Sequence, residues 1–346
     1  MADATDLKSV FAKAECGFES RHRQHTAPSW AEQPACFSKK IRWTTTGPFY
    51  RDGRVKTLLM TFFCGFALTL DAARALSIVW DYTYDTGGFF TQDKKDVLAM
   101  VANRLNSVSI NSTAINPSGF NTWSWQFTDP TSGGSVTVTD PTANAGEVRV
   151  YVGARSLAGP LALGGGVGYS AAGTQAWLDT ISDRNTSQAF KPYAGVITFD
   201  TTQSWYTGIL DSVDPLKFDF YSVASHELAH VLGFTTGVNA WVANSNQPAF
   251  LYIGSNATAS YGANVPLHSG LSHWASGTQY GGHDMLMVPA IASGVRNDWT
   301  APEFGVLKDL GYVVIPEPAM AWLILCGILL CVLRTRNRTN RWTLRD

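Results

Sequence analysis

His226-Glu227-Leu228-Ala229-His230-Val231-Leu232-Gly233 is the stretch on which the reading of this chain turns. Residues four apart on an α-helix lie above one another on one face, so the imidazoles of His226 and His230 aim at a common point with Glu227 beside them. Two neutral imidazoles suit a divalent metal ion that prefers nitrogen, and a neighbouring carboxylate can take the proton of a water that such an ion acidifies. The pattern predicts a helix from Asp219 to Phe234 carrying a water-activating unit. Gly233 is expected to end it, because a residue with positive φ is least strained as glycine.

A tetrahedral catalytic ion needs a third protein ligand and keeps its fourth position open. No glutamate occurs between Glu227 and Glu303, which argues against a downstream carboxylate. Beyond the helix the histidines are His268, His273 and His283, and composition alone leaves all three open.

Working outward, Leu76 to Tyr82 reads as a first strand, and Thr91 to Val108 carries Val97, Leu98, Val101 and Leu105 at the spacing of an amphipathic helix. Thr122–Phe127, Ser135–Thr139, Glu147–Val152 and Tyr193–Phe199 read as strands, with Asp129-Pro130 and Gly133-Gly134 as turns. Gly164-Gly165-Gly166-Val167-Gly168-Tyr169 reads as a glycine-rich loop, and without the lysine of a phosphate-binding loop it does not predict nucleotide binding. Thr300-Ala301-Pro302-Glu303 has the form of a capping box opening a last helix that stops at Gly311. The fold class expected is α+β, in one domain over residues 76–314.

The charge distribution excludes one class of partner. Residues 76–315 hold 10 Lys/Arg against 18 Asp/Glu, an acidic surplus that argues against nucleic acid. Asp200, Asp211 and Asp214 are candidates for calcium in an exported domain, with solvated loop aspartates as the alternative. Cys16, Cys36, Cys64, Cys326 and Cys331 all lie outside 76–314, so no disulfide staples that domain.

Val55-Lys56-Thr57, the apolar run Leu58 to Leu70 and Ala73-Arg74-Ala75 form a secretory signal peptide over 55–75. Residues 1–54 show neither helical nor strand periodicity and are read as a mis-set start or unstructured extension, the alternative being a cytoplasmic extension before a signal anchor. At the other end, Ile315-Pro316-Glu317-Pro318 precedes an apolar run, Ala319 to Leu333, and then Arg334, Arg336, Arg338 and Arg341. This order resembles the bacterial PEP-CTERM sorting signal over 315–346, with a transmembrane segment at 319–333. The resemblance implies an exosortase-type processing partner, transient residence in the inner membrane, and a final place at the cell surface or outside it. An ordinary tail anchor is the alternative, and either way the middle of the chain is expected outside the cytoplasm.

Short H-E-x-x-H patterns do arise on helices that bind no metal. Here an amphipathic helix, a preceding export signal and Gly233 favour the ligand reading. The metzincin zinc peptidases extend the pattern to H-E-x-x-H-x-x-G-x-x-H; this chain matches through Gly233 but has Thr236 at the last position. His273-Trp274, then Leu286-Met287-Val288-Pro289, then Asp309-Leu310-Gly311-Tyr312 resemble the leishmanolysin-like branch, in which the third histidine follows an insertion. The resemblance covers roughly Asp219 to Val313. It implies His273 as third ligand beside His226 and His230, with His268 or His283 as alternatives. Met287 is implied beneath the metal, with Met285 as its rival, and Trp274 packing beside the site.

The resemblance further implies one catalytic Zn2+, Glu227 as general base, and a protein or peptide substrate. Its fold is a twisted, mostly parallel sheet with an active-site helix and a C-terminal helix. An edge strand should lie above the metal for an extended peptide to join, and Tyr193–Phe199 is the candidate. The function expected is thus an exported zinc endopeptidase. The alternatives are a non-catalytic cell-surface or matrix protein associated with exopolysaccharide, with a structural or vestigial zinc site, and a zinc hydrolase acting on another bond.

Overall fold

The computed structural model describes residues 74–209 and 212–315, together with the backbone of 16–21. The segments 55–73 and 316–346, which carry the expected signal peptide and sorting tail, lie outside the described residues, as does Asp211. Among the described residues no helix is long and apolar enough to cross a membrane.

The fold is α+β. In chain order the strands are β1 (Cys16–Arg21), β2 (Arg74–Ala75), β3 (Ser77–Asp81), β4 (Val108–Ile110), β5 (Thr122–Thr128), β6 (Ser135–Thr139), β7 (Glu147–Arg155), β8 (Pro160–Gly166), β9 (Gly168–Ala172) and β10 (Ala194–Asp200), followed by short pairings that include Ala290–Ala292 and Val313–Val314. The helices are α1 (Gln92–Asn103), α2 (Gln175–Ser182), α3 (Phe220–Val231), α4 (Asn239–Ala243), α5 (Ser255–Tyr261) and α6 (Ala301–Asp309).

The main sheet runs β3, β7, β10, β8, β1 and Ala290–Ala292. Its first three strands are parallel, and β8 runs antiparallel to both of its neighbours. Val148, Val150 and Val152 of β7 and Ile197 and Phe199 of β10 are fully buried, as expected of parallel strands covered on both faces. Helix α3 lies against β8 and α1. All twelve of its residues are buried, so its side of the sheet forms the centre of the core and each of its polar side chains requires a partner or a function. A smaller antiparallel sheet, β6-β5-β9, covers a second apolar cluster built on Trp123, Trp125, Trp177 and Tyr193.

Several expectations need correction. The helix predicted to run to Val108 stops at Asn103, because Val108–Ile110 is a buried strand pairing with β2 and with Val313–Val314. Arg74 and Ala75 form β2 and pair with Ile110 and Ser109. The glycine-rich stretch is not a loop: Gly164–Gly166 close β8, and Gly168 and Tyr169 open β9. There, small size lets a strand approach a helix closely; a Cβ on Gly195 of the next strand would lie 2.4 Å from a methyl of Val231. Tyr193–Phe199 does form a strand, but an interior one, between β7 and β8. Its burial on both faces is the reason, since edge strands are kept short or polar. Finally, Cys16–Arg21 is a strand although residues 1–54 show no strand periodicity; its pairing is set wholly by distant partners, β8 and Ala290–Ala292.

Candidate metal centre

Helix α3 begins where Asp219 caps it: the buried carboxylate accepts from the Ser222 backbone N–H at 3.1 Å and from the Ser222 hydroxyl at 2.6 Å. Arg296 grips the same carboxylate through Nε at 2.9 Å and Nη2 at 2.8 Å, so its buried charge is paired and bidentate. The Ser222 hydroxyl also receives the Asn297 N–H at 2.8 Å. These bonds fix the helix start to the segment that follows the 285–288 turn.

One turn on, the helical period brings His226 Nε2 and His230 Nε2 to 3.2 Å. His273, from the loop between α5 and α6, closes the group with its Nε2 at 3.1 Å from His226 and 3.2 Å from His230. A tetrahedral ion bound at about 2.0–2.1 Å holds its nitrogens roughly 3.3–3.4 Å apart, so the three atoms form one face of such a set and leave the fourth position free. Among the described residues this is the group of His, Cys, Asp and Glu side chains close enough to hold a metal ion.

The ring tautomers follow from the other nitrogens. His226 Nδ1–H donates to the Leu286 carbonyl at 2.8 Å and His230 Nδ1–H to the Phe234 carbonyl at 2.7 Å, which leaves each Nε2 lone pair facing the shared point. Burial pushes all three imidazoles toward the neutral form. For His230 it lowers the pKa to about 4. Burial and then the neighbouring histidine charges lower His273 to about 2 and His226 well below the ordinary value. Neutral imidazoles are what a metal ligand requires.

Gly233, at φ +118°, makes the turn that returns the Phe234 carbonyl to His230, and a Cβ there would meet a ring carbon of Phe190 at 2.8 Å. Its part is conformational, as expected. The Thr236 N–H donates to Ser272 Oγ at 3.4 Å, so the insertion returns the chain, one residue before His273, to the point that Thr236 could not serve. His268 and His283 are exposed and lie outside the group. Met285 and Met287 are both fully buried. Both are tied to the loop that carries His273: the Met287 carbonyl accepts the Trp274 N–H at 2.9 Å, next to the ligand, and the Met285 N–H donates to the Thr278 carbonyl at 3.1 Å, five residues beyond it. Trp274 itself is fully buried, as expected of a packing residue.

Glu227 is buried against β8; neither carboxylate oxygen makes a hydrogen bond of normal geometry, and the Gly164 backbone N–H is the donor that faces it. Burial raises its pKa well above the ordinary carboxyl value, and the Gly164 backbone N–H offsets only part of that rise. A buried carboxylate so weakly bonded costs stability, and beside three metal-type ligands it suits a proton acceptor for water.

Asp200 does not behave as a calcium ligand. Its oxygens are occupied by the Thr202 N–H and hydroxyl and the Gln203 amide of its own turn and by the Leu157 N–H from the segment after β7. Asp214 accepts from the Leu216 N–H and pairs with Lys217.

No family model matches the chain, and no curated protein or solved structure matches it. The chemistry of the site therefore rests on its own geometry.

Sequence reasoning missed two contributors. The sequence marks Glu303 only as a helix cap, yet it is fully buried and reaches Trp274. It marks Gly164 as loop, yet a Cβ on it would fall 2.7 Å from Glu227 Cβ and carbonyl oxygen and 2.8 Å from Oε2. Because one of those atoms is backbone, Gly164→Ala is expected to shift Glu227 or β8. Stability should fall by about 1–3 kcal/mol, and any turnover that depends on Glu227 by at least about 10-fold. Unchanged activity with an unchanged melting temperature would show that the contact carries no constraint.

Proposed function

We propose that this chain is an exported zinc-dependent endopeptidase of the metzincin type, with His226, His230 and His273 as ligands and Glu227 as general base. The observation that carries the reading is the convergence of three buried imidazole Nε2 atoms, at 3.1–3.2 Å from one another, beside a buried carboxylate that makes no hydrogen bond of normal geometry. An all-nitrogen ligand set with an open fourth position favours zinc. Bound there, zinc would act as a Lewis acid and lower the pKa of a coordinated water toward about 7.

The protein's own groups account for the remaining requirements. Glu227 takes the proton of the attacking water and returns it to the departing amine, a task suited to a carboxyl whose pKa burial has raised. Gly164 keeps β8 close enough to hold that carboxylate in place.

A peptide substrate is favoured over other hydrolysable groups by the slot above α3. β1 lies between β8, to which it is antiparallel with Cys16 opposite Gly164, and Ala290–Ala292, to which it is parallel with Glu19 opposite Ala290. An extended backbone therefore fits between these two edges, directly over the helix that carries the ligands, and strand addition is a general mode of peptide recognition. On this reading the substrate takes the place of β1. Removal of the signal segment separates residues 16–21 from the domain and leaves both edges available.

The test is cleavage of casein or a quenched fluorogenic peptide by the full chain and by residues 74–315, with and without a chelator. Chelator-sensitive cleavage restored by zinc is expected, faster by several-fold or more in the fragment. Zinc bound at one per chain without cleavage in either form would favour the non-catalytic surface-protein reading. Equal rates in the two forms would refute the role of β1 as occupant of the substrate slot.

A further inference from the structure

We infer that Glu303 is a positioning residue of the metal centre, holding the third-ligand loop and the 285–288 turn in register; the inference rests on the metal-site reading above. Glu303 is the third residue of α6 and closes its capping box, and its Oε2 serves the cap by accepting the Thr300 N–H at 2.9 Å and the Thr300 hydroxyl. A cap needs no more than that, and cap carboxylates are ordinarily solvated. Here the side chain is fully buried and its second oxygen turns inward. Oε1 accepts the Trp274 indole N–H at 3.0 Å and faces the Met287 backbone N–H at 3.5 Å.

Those two donors flank the ligands. Trp274 follows His273 directly, and its backbone N–H donates to the Met287 carbonyl at 2.9 Å. Met287 follows Leu286, whose carbonyl holds His226 Nδ1 at 2.8 Å. One carboxylate thus stands a single residue away from the support of two of the three imidazoles, on segments that no other part of α6 joins in this way. His230 is different: its Nδ1 partner, Phe234, belongs to the turn that ends its own helix. Glu303 therefore sets the placement of His273 and His226 against a fixed His230. Outer-sphere partners of this kind typically change metal affinity by about 10–100-fold when removed.

The helix-cap role and the positioning role separate in two variants of the full chain. Trp274→Phe removes the indole donor and keeps an aromatic ring; Thr300→Val removes the cap hydroxyl and keeps the bulk. Three quantities are read for each: zinc affinity by competition with a chromophoric chelator, the visible absorption spectrum after cobalt(II) substitution, and the urea midpoint of the chelator-treated protein. Trp274→Phe is expected to weaken zinc binding by about 10–100-fold and to alter the cobalt spectrum. Thr300→Val is expected to lower the urea midpoint while zinc affinity stays within about 2-fold and the cobalt spectrum is unchanged. Should Trp274→Phe not fold, Glu303→Gln is read instead: it weakens both carboxylate contacts, and a fall in zinc affinity larger than the lost urea midpoint accounts for is expected, whereas a fall in proportion to stability would overturn the inference.

Zinc affinity and cobalt spectrum unchanged in Trp274→Phe, or changed in both variants in proportion to lost stability, would overturn the inference and leave Glu303 as a plain core cap. Zinc binding without peptide hydrolysis in the parent protein would overturn the peptidase reading alone, because none of the three measurements depends on turnover.

Discussion

Glu227→Gln is expected to lower peptide hydrolysis by about 10²–10⁴-fold while one zinc per chain stays bound. The amide matches the carboxylate in shape, so the tight contact with Gly164 is kept, but it cannot take a proton from water. Neither His226 nor His230 loses the carbonyl that holds its Nδ1, which is why affinity for the metal should survive. The stability readout has the opposite sign. The parent buries a carboxylate that makes no hydrogen bond of normal geometry, whereas the variant buries a neutral amide, so its melting temperature should be equal or higher. Such a pairing of lost turnover with retained or increased stability is the signature of a group held in place for chemistry. Parent-like hydrolysis would overturn the assignment of Glu227 as base, and loss of zinc together with activity would make it part of the ligand scaffold instead.

Acid is expected to unfold the chelator-treated domain well above the pH at which its ordinary carboxylates titrate. The three imidazoles have pKa values depressed by burial, His230 to about 4 and His273 to about 2. Between those values and the unfolded value near 6.5 the unfolded chain binds three protons at sites that the folded chain keeps neutral. Their contribution is therefore present above about pH 6.5 and is lost as pH falls. Glu227 and Glu303 act against this trend: burial raises both, so the folded chain takes up protons there first. Three imidazoles against two carboxyls leave a net of about one proton, or about 1.4 kcal/mol of stability lost per pH unit below about 6.5. With zinc present the fall should begin at lower pH and be steeper, since protons must displace the metal. Urea unfolding of the chelator-treated protein at pH 7, 6 and 5 checks the slope; a flat profile would mean that the imidazoles are solvated in solution.

How much of this was legible in the sequence depends on the range of each interaction. The strands at Ser77–Asp81, Thr122–Thr128 and Ser135–Thr139 and the helix opened by Thr300 are visible because alternation, helical period and capping residues are local signals. Gly164–Gly166 misled because glycine marks both loops and close packing, and only the neighbour, Glu227, tells which applies. Tyr193–Phe199 misled for a related reason: an apolar run announces a buried strand without stating its place in the sheet. Helix α2 and the tryptophan-rich second core left no periodic trace that was read. Glu303 carried its capping signal openly, while its second partner, Trp274, lies 29 residues away.

The sequence by itself determined helix α3, its end at Gly233 and the facing of His226, His230 and Glu227. Each of these follows from a spacing of four residues or fewer and from backbone conformations that few residue types tolerate. Only the tertiary structure decided that His273 joins them rather than His268 or His283, that β8 rather than β10 lies over Glu227, and that β1 fills the slot beyond it. Those choices link atoms up to 47 positions apart in the ligand group, and far more across the sheet. Over such distances it is the packing of the core, with the burial that strips the imidazoles of water, that selects the partner.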